Sequence, residues 1–482
     1  MGSTYGWAPR GDNVPSWQTD RGFAMTGRAI NCVAGAATAG IVFAILALFV
    51  GGLGAGIGSF AMAIGPGHVI HSRFQTADVF ATFLIALSLY FTLGALQPSQ
   101  GSKFRLMLLA AAAAGLAAGT KYLGAILLVP LLLCLYLTPR SDGVPKGRIK
   151  PALAIIGVFL AAFFLATPGA VFDNAKFMLG AGYEFAHSAA GHGIVFRDTA
   201  NGFVYHLANM IEAFGGIPFI IGVVGIAAAV AKRNNWAIIV GVFFVAYYIV
   251  IGRAEVKFLR YVLPLLPVLA VGVGWAVDNV LRRGRLGRIG AAALGLLVVL
   301  SMGGSHGAIQ LTSFMVWPDP RDQTADWLSA RSGKVGFVSD PWFYSPPLAP
   351  DMGLLGAEQR MAAISGSSKV VRFVGGDGSR KDWDSRLLTV SQPEYVVFSS
   401  FEFLDADRIS DRDLITFMET LKTSYRLAGI FWDKEPAFPP KDASEQTVTR
   451  ALMRAIMKSR FPTTHDMMYI RPTLCVFEKQ PK

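Results

Sequence analysis

The sequence predicts an α-helical polytopic membrane protein of about ten transmembrane helices, followed by a C-terminal extracytoplasmic α/β domain. Hydrophobic residues make up 53% of the 482 residues, and charged residues make up only 16%, below the ~25% usual for soluble proteins. The charge is also unevenly distributed. Residues 1–304 contain 22 Lys/Arg and 10 Asp/Glu, whereas residues 305–482 contain 22 of each. We therefore expect a remnant of an outer loop (1–26), a membrane domain (27–304) and a soluble domain (305–482).

Apolar runs of near-spanning length recur through the first part of the chain. A spanning helix needs about 20 apolar residues, and about 17 suffice. The predicted spans are 27–50, 52–67, 79–97, 104–119, 122–138, 151–167, 215–231, 236–252, 261–280 and 289–304. No repeat relates the two halves, and the charged residues gather at the ends of spans. Both observations disfavour a transporter.

Basic residues fall on alternate connections between the spans. They are Lys103 and Arg105; Arg140, Lys146, Arg148 and Lys150; Lys232 and Arg233; and Arg282, Arg283, Arg285 and Arg288. By the positive-inside rule these connections face the cytoplasm, and the other connections and the C-terminal domain face outside. Topology explains the basic excess, so we expect no nucleic-acid partner. The three cysteines are too scattered for a disulfide framework or a metal cluster.

The outer connections carry the residues that are able to act on a substrate. Acids and bases held at one membrane face are functional candidates. Together they offer cations for a phosphate and carboxylates for proton transfer, which suits a lipid-phosphate substrate. The candidates are Asp78, with His71 and Arg73, in HVIHSRFQTADVF; Lys121 in GTKY; Glu184, His187 and His192 in the loop before span 215–231; and Lys257 and Arg260.

Each candidate also has a purely structural interpretation. Asp78 fits a helix N-cap, and the cations fit side chains that reach from a span to the lipid headgroups. His71 fits a hydrogen-bonded interface residue. The residues Glu184, His187 and His192 have three interpretations: they contact a sugar or acceptor, they stabilise their loop, or they bind a metal ion. The sequence leaves these alternatives open.

The C-terminal domain has the pattern of an α/β fold without a catalytic signature. Strands are predicted at 334–339, 394–400, 426–431 and 473–479 from their β-branched and aromatic content. Helices are predicted at 324–330 and 411–424. We expect this domain to cover the outer loops and to help bind substrate.

Several motifs, in order along nearly the whole chain, resemble one membrane enzyme class. The hinge reads P-x-H-x-x-x-S-R-x-x-x-x-D-V (66–79), followed by G-L-x-x-G-T-K-Y (115–122). Glu184, His187 and Gly191-His192-Gly193 come next, then RYVLPLLP (260–267) and D-P-R-D-x-x-A-D-W-L (319–328). This order is similar to GT-C glycosyltransferases of the protein mannosyltransferase and aminoarabinose transferase superfamily.

The resemblance implies an inner-membrane enzyme that moves a monosaccharide from a polyprenyl-phosphate carrier to an envelope acceptor outside the cell. It implies a carboxylate base, for which Asp78 is the match, and cations that stabilise the leaving phosphate. It implies no cofactor, with a divalent metal as the alternative. The family's principal acid lies early in the first outer loop, and neither Asp12 nor Asp20 stands in such a motif. We therefore expect that the first span and most of that loop are missing. This expectation leaves a second hypothesis beside the glycosyltransferase, namely a non-catalytic lipid-phosphate-binding protein of envelope assembly.

Overall fold

The computed structural model describes residues 21–97, 102–139, 144–145, 147–303, 307–313, 316–348, 369–439, 448–460 and 465–481. Residues 1–20, which include Asp12 and Asp20, and the loop bases Arg140 and Lys146 lie outside these ranges. The expectations for them stay predictions. The chain divides into two compact units. One consists of Gly22–Ala190 and Ala200–Leu311, and the other contains Gly191–Thr199 and Thr312–Lys482.

The first unit is a bundle of helices. They are α1 (Arg21–Ala47), α2 (Gly52–Ile64), α3 (Pro66–His71), α4 (Ala77–Gly94), α5 (Lys103–Thr120), α6 (Leu128–Leu137), α7 (Ile149–Ala166), α8 (Gly169–Phe172), α9 (Asn174–Ala190), α10 (Gly202–Phe214), α11 (Gly216–Ala231), α12 (Asn235–Gly252), α13 (Leu266–Leu281), α14 (Gly284–Leu300) and α15 (Ala308–Ser313). Short 3-10 segments, Tyr122–Leu127 and Leu259–Leu265, lead into α6 and α13.

Every predicted span coincides with a helix, but not every helix is long enough to cross a membrane. Within the described residues six helices have the length and apolar content of a span, or seven if the bent pair α10–α11 counts as one. Helix α2 has only 13 residues and Tyr122–Leu137 is also short. The polytopic helical class is confirmed, whereas the count of ten is not.

Close helix packing in this unit depends on small residues. A Cβ atom added to Gly225 of α11 would lie 2.1 Å from the carbonyl oxygen of Gly272 in α13. A Cβ on Gly115 of α5 would lie 2.2 Å from the carbonyl oxygen of Phe159 in α7. Without a hydrophobic driving force between helices in lipid, such backbone approach supplies the packing contacts. Gly215, at φ +89°, turns the chain by 111° between α10 and α11.

The second unit is built on a five-stranded mixed sheet. Its strands are β1 (Val335–Phe337), β2 (Val370–Val371), β3 (Tyr395–Ser399), β4 (Tyr425–Phe431) and β5 (Leu474–Lys479), in the order β2-β1-β3-β5-β4. β1 is parallel to β2 and β3, while β5 is antiparallel to β3 and β4. Its helices are α16 (Pro320–Ser329), α17 (Ser400–Arg408), α18 (Arg412–Ser424), α19 (Arg450–Arg460) and α20 (His465–Met468), and a π-helical turn spans Leu387–Ser391.

Both faces of the sheet are buried, which confirms the α/β character of this part. Val396 and Phe398 of β3 pack into a core with Phe417 of α18, while Val397 packs on the opposite face with Leu328 of α16. Burial on both faces explains why β3 reads as a continuous apolar run rather than an alternating one. The location of this unit outside the membrane stays a prediction.

Candidate functional site

The hinge between α3 and α4 is fixed against α1. The Asn31 side-chain amide donates hydrogen bonds to the carbonyl oxygens of Phe74 (2.6 Å) and Thr76 (2.7 Å). His68 on α3 lies 3.0 Å from the carbonyl oxygen of Gly35, with Nε2 as its bonding atom. These contacts hold the non-helical residues of the hinge and set where α4 begins.

Asp78 and Lys121 meet because α4 and α5 form an antiparallel hairpin. Asp78 lies in the first turn of α4, and Lys121 is the residue directly after the last turn of α5. The Ser88 hydroxyl donates to the carbonyl oxygen of Ala110 (2.9 Å) and joins the two helices near their middles. The start of one helix and the end of the next therefore lie at the same end of the bundle.

The Asp78 carboxylate is shared between two cations. Lys121 Nζ donates a hydrogen bond to Asp78 Oδ1, and Arg260 Nε lies 3.8 Å from Asp78 Oδ2. The Asp78 and Arg260 side chains are buried, with 8% and 10% exposed, whereas Lys121 is 22% exposed. Two cations therefore converge on one buried carboxylate, and cations placed in this way are able to contact an anion as well.

Aromatic rings complete the surroundings of these cations. Lys121 Nζ lies 4.3 Å from the ring centroid of Tyr261, and the Arg260 guanidinium lies 3.9 Å from that of Phe258. Both distances are within the range of cation–π attraction. Tyr247 of α12 is fully buried, interacts electrostatically with Asp78, and has a hydroxyl without a hydrogen-bond partner among the described residues. Sequence reasoning missed Tyr247 because it lies within an apolar run.

Lys257 belongs to a neighbouring buried polar group rather than to the Asp78 site itself. Its ammonium donates to the carbonyl oxygen of Ala200 (3.0 Å) and lies 3.5 Å from Glu255. Asn209 of α10 donates to the carbonyl oxygen of Lys257 (2.9 Å) and lies 3.2 Å from His206 Nδ1. Sequence reasoning missed His206 and Asn209, although a His and an Asn three residues apart in an apolar helix are a visible signal.

Two further candidates, His71 and Arg73, lie in or directly after α3. His71 is 1% exposed and interacts electrostatically with Asp78. Arg73 is half-buried in the turn that follows α3. The structure therefore brings Asp78, Lys121, Arg260 and His71 together.

The residues Glu184, His187 and His192 are divided between the two units. Glu184 and His187 lie on α9, a helix without a buried residue, and the His187 ring stacks on Tyr183 at 5.7 Å. His192 lies in the Gly191–Thr199 turn, which belongs to the second unit. Among the described residues no set of three or more His, Cys, Asp or Glu is placed to hold a metal ion. The expectation that no cofactor is needed stays a prediction.

The Gly191–Thr199 turn is held within the second unit by one arginine. Arg408 of α17 donates to the carbonyl oxygens of Ile194 (2.9 Å), Val195 (2.7 Å) and Arg197 (2.9 Å). Asp405 accepts a further hydrogen bond from Arg408 at 2.6 Å. A planar guanidinium suits several fixed acceptors at once, so this turn has a defined position.

Comparison with known proteins gives a match to one family model. Residues 22–168, which include Asp78 and Lys121, match the sequence model of the family described as dolichyl-phosphate-mannose-protein mannosyltransferase. None of the curated protein sequences matches the chain.

Among solved structures, the chain is similar to ArnT from Cupriavidus metallidurans bound to undecaprenyl phosphate. The identity is 14%, the coverage is 80% of each chain, and the TM-score is 0.44. It is also similar to the oligosaccharyltransferase AglB from Archaeoglobus fulgidus in complex with an inhibitory peptide and a dolichol-phosphate. Here the identity is 12%, the coverage is 95% of this chain and 78% of that chain, and the TM-score is 0.42. The resemblance that the hinge motifs predict is confirmed for residues 22–168, which carry the pattern of the dolichyl-phosphate-mannose-protein mannosyltransferase family.

Proposed function

We propose that the protein is a membrane glycosyltransferase that moves a monosaccharide from a polyprenyl-phosphate carrier to an envelope acceptor. The observation that carries this proposal is the convergence of Lys121 and Arg260 on the buried Asp78 carboxylate. Asp78 and Lys121 fall within the segment that matches a family named for a dolichyl-phosphate sugar donor. A positively charged site at a helix end suits the phosphate of such a lipid.

The reaction needs the groups of this site in two roles. An acceptor hydroxyl attacks the anomeric carbon, the bond from that carbon to the phosphate oxygen breaks, and its electron pair leaves with the lipid phosphate. Lys121 and Arg260 stabilise the charge that develops on the phosphate. Asp78 accepts the proton of the attacking hydroxyl as the general base. Attack from the face opposite the phosphate inverts the anomeric carbon.

The orientation of the bundle supports an extracytoplasmic reaction. The described basic residues Lys103, Lys150, Lys232 and Arg282 lie at the beginnings of α5 and α7 and at the ends of α11 and α13. Asp78 lies at the opposite end of these helices. By the positive-inside rule the basic end faces the cytoplasm. We therefore propose a multi-pass protein of the inner membrane with its site and C-terminal unit outside.

The test is transfer of radiolabelled sugar from polyprenyl-phosphate carriers in membranes that contain the full chain. We expect Asp78→Asn to lower the transfer rate about 100-fold or more, because a general base contributes ~10²–10⁴-fold, while polyprenyl-phosphate binding persists. Lys121→Met should weaken that binding. The matched control is Asp173→Asn, because Asp173 is 43% exposed and pairs with Lys176 at 3.1 Å.

Two results contradict the proposal. One is the absence of transfer from every carrier tested, and the other is full activity of Asp78→Asn. Thermal unfolding of each variant in the same membranes separates a lost reaction from a lost fold. Sugar transfer that persists in a chelator indicates that no metal is required.

A second function is favoured by the state of the carboxylate. Asp78 is paired with two cations in the structure, which suits a protein that binds a lipid phosphate without transferring sugar. That function predicts saturable polyprenyl-phosphate binding that depends on Lys121 and Arg260, with no labelled product. The transfer assay therefore decides between the two functions.

A further inference from the structure

The C-terminal unit has a polar edge where three parallel strands end. β1, β2 and β3 are parallel, so their carboxyl ends lie together. The chain leaves β1 for β2 on one side and then reaches β3 on the other, which makes β1 a point where the strand order reverses. In open α/β sheets, the crevice at the carboxyl ends beside such a point is where ligands bind.

Polar residues close to the ends of these strands are linked to one another. Ser339 follows β1 and donates to Glu402 Oε1 of α17. Glu402 Oε2 accepts hydrogen bonds from the Ser399 backbone N–H and hydroxyl, both at 2.8 Å. Arg372 follows β2, has a side chain that is 2% exposed, and donates to Asp340 (3.3 Å) and Asp382 (3.0 Å). The buried guanidinium thus fixes two carboxylates at the surface.

Aromatic side chains lie beside these carboxylates. The sequence PWFY (341–344) follows directly after Asp340. The Tyr344 ring stacks on Phe401 at 4.9 Å, and both rings are half-buried. Among the described residues, the Tyr344 hydroxyl has two weak contacts, each of 3.4 Å, with the Ser339 hydroxyl and the carbonyl oxygen of Asp340. It therefore retains capacity to bond a ligand.

The charges at this edge select the class of ligand. The N-terminus of α17 already has its own carboxylate, because Ser399 and Glu402 form a capping box, so it offers no free anion site. Asp340 and Asp382 repel anions, and their side chains are 36% and 67% exposed. Arg372 and Arg380, which pair with Asp340, disfavour a metal cation. A neutral ligand rich in hydroxyl groups satisfies both conditions.

We propose that the C-terminal unit binds a saccharide at the carboxyl ends of β1, β2 and β3. Sugar hydroxyls donate to the exposed oxygens of Asp340 and Asp382 and accept from Arg380 and the Tyr344 hydroxyl. The apolar face of the sugar ring packs against the Tyr344–Phe401 stack. Burial raises the pKa of Glu402 to about 7, so near neutral pH this carboxyl is able to serve as a donor as well as an acceptor.

The proposal is tested by equilibrium binding of free sugars to the full chain, followed by saturation-transfer NMR. The protein is placed in lipid nanodiscs, because alkyl maltoside detergents carry a competing sugar. The probes are methyl α-mannoside, N-acetylglucosamine and maltose. We expect saturable binding of at least one probe, weakened about 10-fold by Asp340→Asn and by Tyr344→Phe, since a lost bond to a charged or buried group costs ~1–3 kcal/mol.

Two control variants separate this site from the rest of the chain. Asp326→Asn changes an exposed acid on α16 of the same unit and should bind sugar normally. Asp173→Asn changes an exposed acid of the first unit and should also bind sugar normally. The proposal is overturned if no probe binds saturably, if neither Asp340→Asn nor Tyr344→Phe weakens binding, or if inorganic phosphate displaces the sugar.

Discussion

Asp78 Oδ2 lies 3.8 Å from Arg260 Nε, and the two residues join the first turn of α4 to the segment that leads into α13. Removal of the carboxylate leaves two cations in a buried site, whereas removal of Arg260 leaves the Asp78–Lys121 pair intact. We therefore expect Asp78→Asn to destabilise the protein by about 3–5 kcal/mol and Arg260→Gln by less. The double variant Asp78→Asn/Lys121→Met should recover part of the loss.

A double-mutant cycle from chemical unfolding in nanodiscs measures this coupling. The control cycle uses Asp173 and Lys176, an exposed pair for which we expect about 0–1 kcal/mol. Equal coupling energies in the two cycles contradict a buried charge cluster at Asp78.

Close packing of α11 on α13 depends on the absence of a side chain at Gly225. Because the nearest atom to an added Cβ is a backbone oxygen at 2.1 Å, Gly225→Ala forces the helices apart. We expect a loss of about 1–3 kcal/mol. Gly157→Ala on α7 is the control, because an added Cβ there meets nothing within 4 Å. A Gly225→Ala protein as stable as Gly157→Ala shows that the two helices separate without cost.

Arg408 should protect the Gly191–Thr199 turn from proteolysis. Arg197 is exposed, and its carbonyl oxygen is one of the three that Arg408 binds. We expect Arg408→Gln to speed tryptic cleavage after Arg197 several-fold, as followed by mass spectrometry. The control is Arg386→Gln, since Arg386 pairs with Asp384 in its own turn. Equal cleavage rates in both variants mean that other contacts, such as the burial of Phe196, hold the turn.

Glu402 should make stability depend on pH in an unusual direction. Burial raises its pKa from 4.5 to about 7, so the folded protein retains a proton that the unfolded chain releases. Stability from this group is therefore present below about pH 4.5 and is lost as pH rises to about 7. We expect Glu402→Gln, which keeps the capping box, to flatten the fall of the unfolding temperature between pH 5 and pH 8.

Glu394→Gln is the matched control for this pH dependence. A backbone hydrogen bond from Lys334 lowers the pKa of Glu394, so its titration lies below that interval. The wild-type slope should persist in Glu394→Gln. An unchanged slope in Glu402→Gln assigns the pH dependence to another group.

The sequence predicted the site through the positions of charges at helix ends. Asp78 and Lys121 stand at opposite ends of two successive apolar runs, and a hairpin necessarily brings such ends together. Tyr247 and Tyr261 were missed because each is embedded in an apolar run, where the pattern gives no sign of which residues face inward. His206 and Asn209 were missed although their polar side chains stand out in the apolar helix α10. The count of about ten spans stays a prediction, because short apolar helices such as α2 have the composition of a span without its length.

In the C-terminal unit the four longer strands were predicted from β-branched and aromatic residues. β2 was missed because two valines form too short a pattern. Helix α17 was also missed, although Ser399 and Glu402 have the spacing of a capping box. Pairing order and the polar edge of the sheet depend on contacts distant in sequence, which a local pattern does not contain.

The hydrogen bonds from Arg408 to the Gly191–Thr199 turn form late in biosynthesis. Arg408 follows Val195 by 213 residues. At ~5–20 residues per second, a ribosome needs about 10–40 s to cover that interval. Helices α10 to α14 are synthesised during this interval. The turn therefore lacks its hydrogen bonds to Arg408 while these helices enter the bilayer. A nascent chain that stops before residue 408 never forms these hydrogen bonds.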